Sequence, residues 1–97
     1  CLDTSHANMQ GLNLPAAIRA AGDRLIALHI SDNDGSGDQH RTPGYGTVDW
    51  PPLVAALREV GFGGDFNLEI PGECHVPPPM VKLRSQYALG VCRHLLG

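Results

Sequence analysis

No stretch of this chain approaches the roughly 18 consecutive apolar residues that a membrane-crossing helix needs, and no such span is expected. Basic residues are scarce as well. Seven Lys and Arg stand against ten Asp and Glu, for a net charge of −3. They are scattered singly, so a nucleic-acid-binding stripe is not expected. The three cysteines, Cys1, Cys74 and Cys92, form no CxxC pair. An odd count fits no closed disulfide framework, and a reduced, cytoplasmic setting is the expectation. The start has neither the charged nor the apolar segment of a signal peptide. Cys1 and Leu2 run directly into polar residues, as in a piece cut from a longer chain.

What the chain has is a 42% apolar composition over 97 residues, enough for one globular domain and too much for disorder. Hydrophobic periodicity divides it. Asp3-Thr4-Ser5-His6 reads as the polar end of a strand whose body is not in the sequence. Asn13 is placed to cap a helix with Pro15 in its first turn and Leu14, Ile18 and Ala21 on one face. Gly22 closes that helix. Arg24 to Ser31 reads as a strand buried on both faces, with Leu25, Ala27 and His29 on one side and Ile26, Leu28 and Ile30 on the other. A polar loop runs from Asp32 to about Val48, a length that in a compact domain usually signals function.

Asp49 then caps a second helix with Pro51 and Pro52 in its first turn. Leu53, Val54, Leu57 and Val60 form its apolar face, and Gly61 ends it. Asp65 to Ile70 alternates as a strand, with Phe66, Leu68 and Ile70 facing one way and Asp65, Asn67 and Glu69 the other. Pro77-Pro78-Pro79 opens a last helix with a stripe of Met80, Leu83, Tyr87, Val91 and Leu95, expected to pack on the sheet. Trp50 is expected to pack at a helix start, and His75 and His94 to be surface or packing residues.

Strands alternating with helices imply right-handed βαβ units and a parallel sheet. A (β/α)8 TIM barrel needs about 250 residues. On that scale residues 1–97 supply about three βα units, the C-terminal part of one barrel domain. Two strands alone leave open edges, so either the rest of a barrel or self-association is expected to cover them.

Functional groups in such folds gather at the C-terminal strand ends. Here those ends carry Asp3 with His6, then His29, then Glu69, and the loop after His29 adds Asp38 and His40. Mixed imidazole and carboxylate donors suit a divalent ion such as Mn2+, Zn2+, Co2+, Mg2+ or Fe2+. Asp32-Asn33-Asp34-Gly35-Ser36-Gly37 also matches the opening of a calcium loop. Its twelfth position, however, is Pro43 instead of Glu, and a strand precedes it.

The motifs resemble a family. Asp3-Thr4-Ser5-His6 is similar to the D-x-x-H motif of the xylose-isomerase-like sugar phosphate isomerases and epimerases. That superfamily includes the metal-dependent endonucleases acting at abasic DNA sites (AP endonuclease family 2). His29-Ile30-Ser31-Asp32-Asn33 resembles its H-x-x-D-N segment. Asp38-Gln39-His40 followed by Pro43-Gly44-Tyr45-Gly46-Thr47-Val48-Asp49-Trp50 resembles its D-x-H and PG-x-G-x-(I/V)-D-W stretch. Leu68-Glu69 resembles its last metal-binding strand.

The resemblance implies Asp3, His29 and Glu69 as metal ligands and Glu69 and His6 as catalytic groups. It also implies His6, Asp38 and His40 around a second metal or the substrate. The implied reaction moves a proton between adjacent carbons of a carbohydrate through an enediolate, using a second glutamate from an upstream strand. Without that glutamate these residues alone are expected to bind metal incompletely and to catalyse poorly. Arg41 is a candidate to steady a sugar oxygen or phosphate, against the alternative of a solvated loop arginine. The acidic rim of Asp32, Asp34 and Asp38 opposes DNA phosphates. A zinc-dependent endonuclease and a non-catalytic barrel segment serving as an assembly or binding module are the two alternatives.

Overall fold

Three strand ends and four helices build the molecule in a computed structural model. It describes residues 1–97, apart from the side chains at positions 72 and 74. Strand β1 (Leu2–Asp3) runs into helix α1 (Thr4–Met9), followed by α2 (Leu14–Ala21), β2 (Leu28–His29), α3 (Trp50–Glu59) and α4 (Pro78–Leu96). Short 3-10 turns occupy Gly22–Arg24 and Pro71–Cys74. No helix among the described residues is long and apolar enough to cross a membrane.

β1 and β2 pair in parallel, with Leu2 opposite Leu28 and Asp3 opposite His29. A parallel bridge joins Ile30 to Leu68 and extends the order by one more position. This is the β1–β2–Leu68 order that βαβ units predict. The ladder is much shorter than the apolar runs suggested. The expected strand from Arg24 to Ser31 is regular only at Leu28 and His29, and the expected strand from Asp65 to Ile70 survives as the bridge at Leu68. The reason is the partner. β1 offers two residues, and a strand persists only where a neighbour accepts its bonds. Ile26, expected on the buried side with Leu28 and Ile30, lies beyond that ladder and is 77% exposed.

Helix α1 is a second correction. Asp3-Thr4-Ser5-His6 leaves the strand at once as a helix, with Asp3 as its N-cap and the His6 amide donating to Asp3 Oδ1 at 3.0 Å. α2 forms as its sequence predicts, with the Ala16 amide donating to Asn13 Oδ1 at 3.0 Å and Pro15 in the first turn, where its missing donor costs nothing. Asp49 occupies the N-cap of α3, but its side chain makes no capping bond.

The core lies between α2, α3 and the strands. Ile18 from α2, Leu28 and Ile30 from the β2 segment, and Leu53 and Ala56 from α3 are almost completely buried. The expected stripe of α4 is a third correction, since Met80, Leu83 and Tyr87 are exposed. Ala88 and Cys92, one turn apart, are the buried residues of that helix. Of the expected stripe, Leu95 is partly buried and packs against the core, so the stripe is covered only towards the C-terminal end of the helix. Burial pushes the Cys92 thiol up to about 11, so it is a packing group and not a nucleophile. The Cys74 side chain lies outside the described residues.

Candidate active site

The three strand ends converge. Asp3, His29 and Glu69 each present one ligand atom, and these atoms lie within 4.8 Å of one another. Strand pairing explains this. Asp3 and His29 are register partners, and the Glu69 amide donates to the Ile30 carbonyl at 2.9 Å. His29 Nδ1 stands 2.8 Å from Glu69 Oε2 and 4.0 Å from Asp3 Oδ2. One imidazole and two carboxylates form a donor set suited to Mn2+, Co2+, Mg2+, Fe2+ or Zn2+, and the spacing lets a single ion reach all three.

Beside this triad the structure assembles His6, Asp38 and His40. Asp38 Oδ2 lies 3.0 Å from His6 Nε2 and 3.1 Å from His40 Nε2. Asp38 Oδ1 accepts from Ser5 Oγ at 3.1 Å. Burial works to raise the Asp38 pKa. The bonds from His6 and Ser5 and the nearby imidazoles outweigh it, and the net shift is downward. His6 is raised, first by its bond to Asp38 and then by the field of Asp3. The two clusters touch: His6 Nδ1 is 3.3 Å from Asp3 Oδ2, and His40 Nδ1 is 3.2 Å from the Glu69 carbonyl oxygen. His40 reaches both neighbours from a left-handed backbone, φ 49°, the one positive φ outside glycine among the described residues. Arg41 joins neither cluster. It lies on the wall of the cleft that Asp38 and His40 also line.

Behind these three side chains is a buried polar hub centred on Asp32, which the sequence places on an exposed acidic rim with Asp34 and Asp38. Asp32 is fully buried and accepts four hydrogen bonds. Oδ1 takes the amides of Asn33 at 2.8 Å and Val48 at 3.2 Å. Oδ2 takes the Gly44 amide at 2.9 Å and the Trp50 indole N–H at 2.8 Å. Trp50 therefore packs at its helix start as expected and also ties that helix to the loop. Asp32 is spent on these donors, which removes the first ligand of the calcium-loop reading.

Asn33 reaches across to α1, donating from Nδ2 to Ser5 Oγ at 2.7 Å and accepting at Oδ1 from Asn8 Nδ2 at 2.8 Å. Thr4 Oγ1 donates to the Ser31 carbonyl at 2.8 Å. The two glycines of the PG-x-G stretch serve different ends. Gly44 has φ +99°, which a side chain would strain. A Cβ on Gly46 would collide with the Asn33 carbonyl oxygen and Asp32 Oδ1.

Glu73 is a second acid the sequence did not single out. It accepts from the Thr42 amide at 2.9 Å and from Arg84 Nε at 3.0 Å, so α4 is latched to the loop. Burial would raise its pKa, but these bonds prevail and lower it.

Comparison with known proteins shows the family and the fold. Residues 1–88 match the family model described as "Xylose isomerase-like TIM barrel". The chain belongs to that family. Within this barrel family, it is 35% identical over 99% of its length to a D-psicose 3-epimerase of Enterocloster bolteae, of which it covers 36%. It is 36% identical over 70% of its length to an L-ribulose 3-epimerase of a Methylomonas species, covering 22% of that protein. It is 28% identical over 91% of its length to an inosose isomerase of Bacillus subtilis, covering 32%. The crystal structure of a D-psicose 3-epimerase with D-tagatose from Clostridium cellulolyticum H10 superposes with a TM-score of 0.82 at 26% identity, over 98% of this chain and 37% of that one. The chain thus spans about a third or less of the length of these relatives. Its short parallel ladder and flanking helices are part of a (β/α)8 barrel.

Proposed function

We propose that these residues form the C-terminal part of the active site of a divalent-metal-dependent carbohydrate epimerase or isomerase. The observation that carries this reading is the convergence of Asp3, His29 and Glu69 within 4.8 Å in a chain whose relatives act on sugars. Asp3, His29 and Glu69 would hold the ion. When bound, it would supply polarisation of the carbonyl and hydroxyl oxygens of a sugar.

The chain's own groups do the rest. Glu69 Oε2 is directed at His29, while Oε1 has no hydrogen-bond partner among the described residues. That oxygen is free to take a proton from carbon next to a carbonyl, or to return it. Proton removal at one carbon and return on the other face, or at the neighbouring carbon, gives epimerisation or isomerisation through an enediolate. His6, whose ring nitrogens face Asp3 and Asp38, would reach a substrate oxygen by exchanging its bond to Asp38 for one to the substrate. The partner glutamate of the proton relay would come from an upstream strand.

A second reading concerns the number of ions. The shared Asp38 oxygen between His6 and His40 supports a further site for a divalent ion such as zinc. Such a site would be compatible with an abasic-site endonuclease, but the sugar-epimerase relatives and the net negative charge favour the carbohydrate enzyme.

Calorimetric titration of the full-length protein with Mn2+ tests both readings. One equivalent is expected, and His29→Ala should weaken it by more than the roughly 10–100-fold typical of outer-sphere changes. Unchanged affinity in His29→Ala would remove the proposed site. A second equivalent that disappears in Asp38→Asn would assign the His6–Asp38–His40 cluster to another ion.

A further inference from the structure

One carboxylate beside the site has no part in the chemistry above. Glu73 lines a cleft of about 790 Å3 together with Asp38, His40 and Arg84, yet it is only 9% exposed. Four donors converge on it. Oε1 accepts from the Thr42 amide at 2.9 Å and the Thr42 hydroxyl at 3.1 Å. Oε2 accepts from Arg84 Nε at 3.0 Å and from Arg84 Nη2. The Arg84 guanidinium also rests 5.5 Å over the Tyr45 ring, and Tyr45 stacks on Tyr87 of α4. A buried ion pair adds little net stability, because the loss of water offsets the attraction. What it supplies is a fixed geometry, since a guanidinium fork holds a carboxylate in one orientation.

The geometry it fixes is that of His40, two residues before Thr42. His40 has a left-handed backbone, φ 49°, which a residue with a Cβ keeps only where its surroundings over-determine it. The residues that follow it are held on both sides. The Arg41 amide donates to the Asp32 carbonyl at 3.0 Å, and the Arg41 carbonyl accepts from the Asp32 amide at 2.8 Å. Thr42 is held by Glu73 from the opposite side. The His40 ring then spans two acceptors. Nδ1 is 3.2 Å from the Glu69 carbonyl oxygen, and Nε2 is 3.1 Å from Asp38 Oδ2. A carbonyl oxygen only accepts, so the bond to Glu69 places a proton on Nδ1.

Glu73 also belongs to the turn that follows Glu69, because its amide donates to the Ile70 carbonyl at 3.0 Å. Two cross-links therefore join that turn to the loop after β2. One is His40 to the Glu69 carbonyl, and the other is Thr42 to Glu73.

We propose that Glu73 is a positioning residue of the candidate site: it clamps the turn after Glu69 to the loop at Thr42 and so holds the His40 ring against the Glu69 carbonyl. The proposal rests on the carbohydrate-enzyme reading above and adds to it a residue that acts only through others.

The test compares the full-length protein with its Glu73→Gln variant, both carrying 15N-labelled histidine and tryptophan. The amide side chain has one acceptor oxygen for donors on two sides, so either Thr42 or Arg84 is left facing an NH2 group. By NMR without metal, the His40 Nδ1–H proton is expected as a protected signal in the parent protein and to be lost to water exchange in Glu73→Gln. The Trp50 indole N–H, bonded to Asp32, should stay in place in both. Calorimetry with Mn2+ is expected to show affinity weakened about tenfold in Glu73→Gln, the low end of the cost of removing a group that orients a ligand. Should Glu73→Gln fail to fold, Thr42→Val removes only the hydroxyl's bond and is expected to weaken the His40 signal without abolishing it. An unchanged His40 signal, an unchanged Mn2+ affinity, or a change at Trp50 as large as that at His40 would each overturn the proposal. A parent protein that binds Mn2+ while the variant matches it ends this inference alone. A parent protein that binds no Mn2+ ends the metal-site reading beneath it.

Discussion

Replacing Asp32 with alanine is expected to cost about 3–5 kcal/mol of folding stability, a large part of what a domain of this size possesses. The side chain touches no substrate. It satisfies four donors at once, the amides of Asn33, Gly44 and Val48 and the indole of Trp50. Without it each is left buried or must find water, and unsatisfied buried donors cost about 1–3 kcal/mol apiece. Asp32→Asn should recover little. If the amide oxygen keeps the Asn33 and Val48 bonds, the new NH2 group faces the Gly44 and Trp50 donors, and the opposite orientation is no better. Urea unfolding followed by the fluorescence of Trp50, the single tryptophan, measures both variants. A loss within about 0.5 kcal/mol, the range of an ordinary surface substitution, would show that the hub is not what holds the loop.

The second large effect is chemical. The proposed function predicts that Glu69→Gln in the full-length protein lowers kcat about 10²- to 10⁴-fold, the usual worth of a positioned acid–base group, while leaving metal bound. The amide keeps an oxygen for the ion but cannot take up a proton. Glu69→Ala should lose both. Ketose epimerisation assays paired with elemental analysis distinguish the two variants. A Glu69→Gln enzyme that epimerises at the native rate would restrict Glu69 to ligation and shift the proton chemistry elsewhere.

The convergence of Asp3, His29 and Glu69 was legible in the sequence because one rule covers it. Side chains at the C-terminal ends of parallel strands meet, and Asp3, His29 and Glu69 each stood at such an end. The helices were legible from caps and periodicity, as Asn13 and Leu53-Val54-Leu57 show. Strand lengths were not. Leu25 to Ala27 is as apolar as a strand requires, but regular pairing depends on a neighbour, and β1 supplies only two residues. α1 was obscured for a related reason, since Asp3 serves as both a strand end and a helix cap.

Asp32 and Glu73 were hidden more deeply. By sequence, Asp32 reads as the first position of a partial calcium loop and as part of an acidic rim. What buries Asp32 is a set of donors 12 to 18 residues further along, which no local window detects. The α4 stripe misled because periodicity finds an apolar face without saying whether a neighbour covers it. The face that approaches the rest of the domain is the small-residue one at Ala88 and Cys92.

The bonding of the loop between β2 and α3 also separates order from regularity. The amides of Asp32, Asn33, Arg41, Thr42, Gly44, Thr47 and Val48 all donate to protein acceptors, although none of these residues belongs to a helix or a strand. Circular dichroism would count this segment as coil. Under deuterium exchange it should behave as core, its amides opening only with the cooperative unit that includes α3. The exposed tip at Asp34 to Ser36, held by turns of its own, would label early. The rim of the candidate site is thus a slow-exchanging frame carrying a fast-exchanging crest.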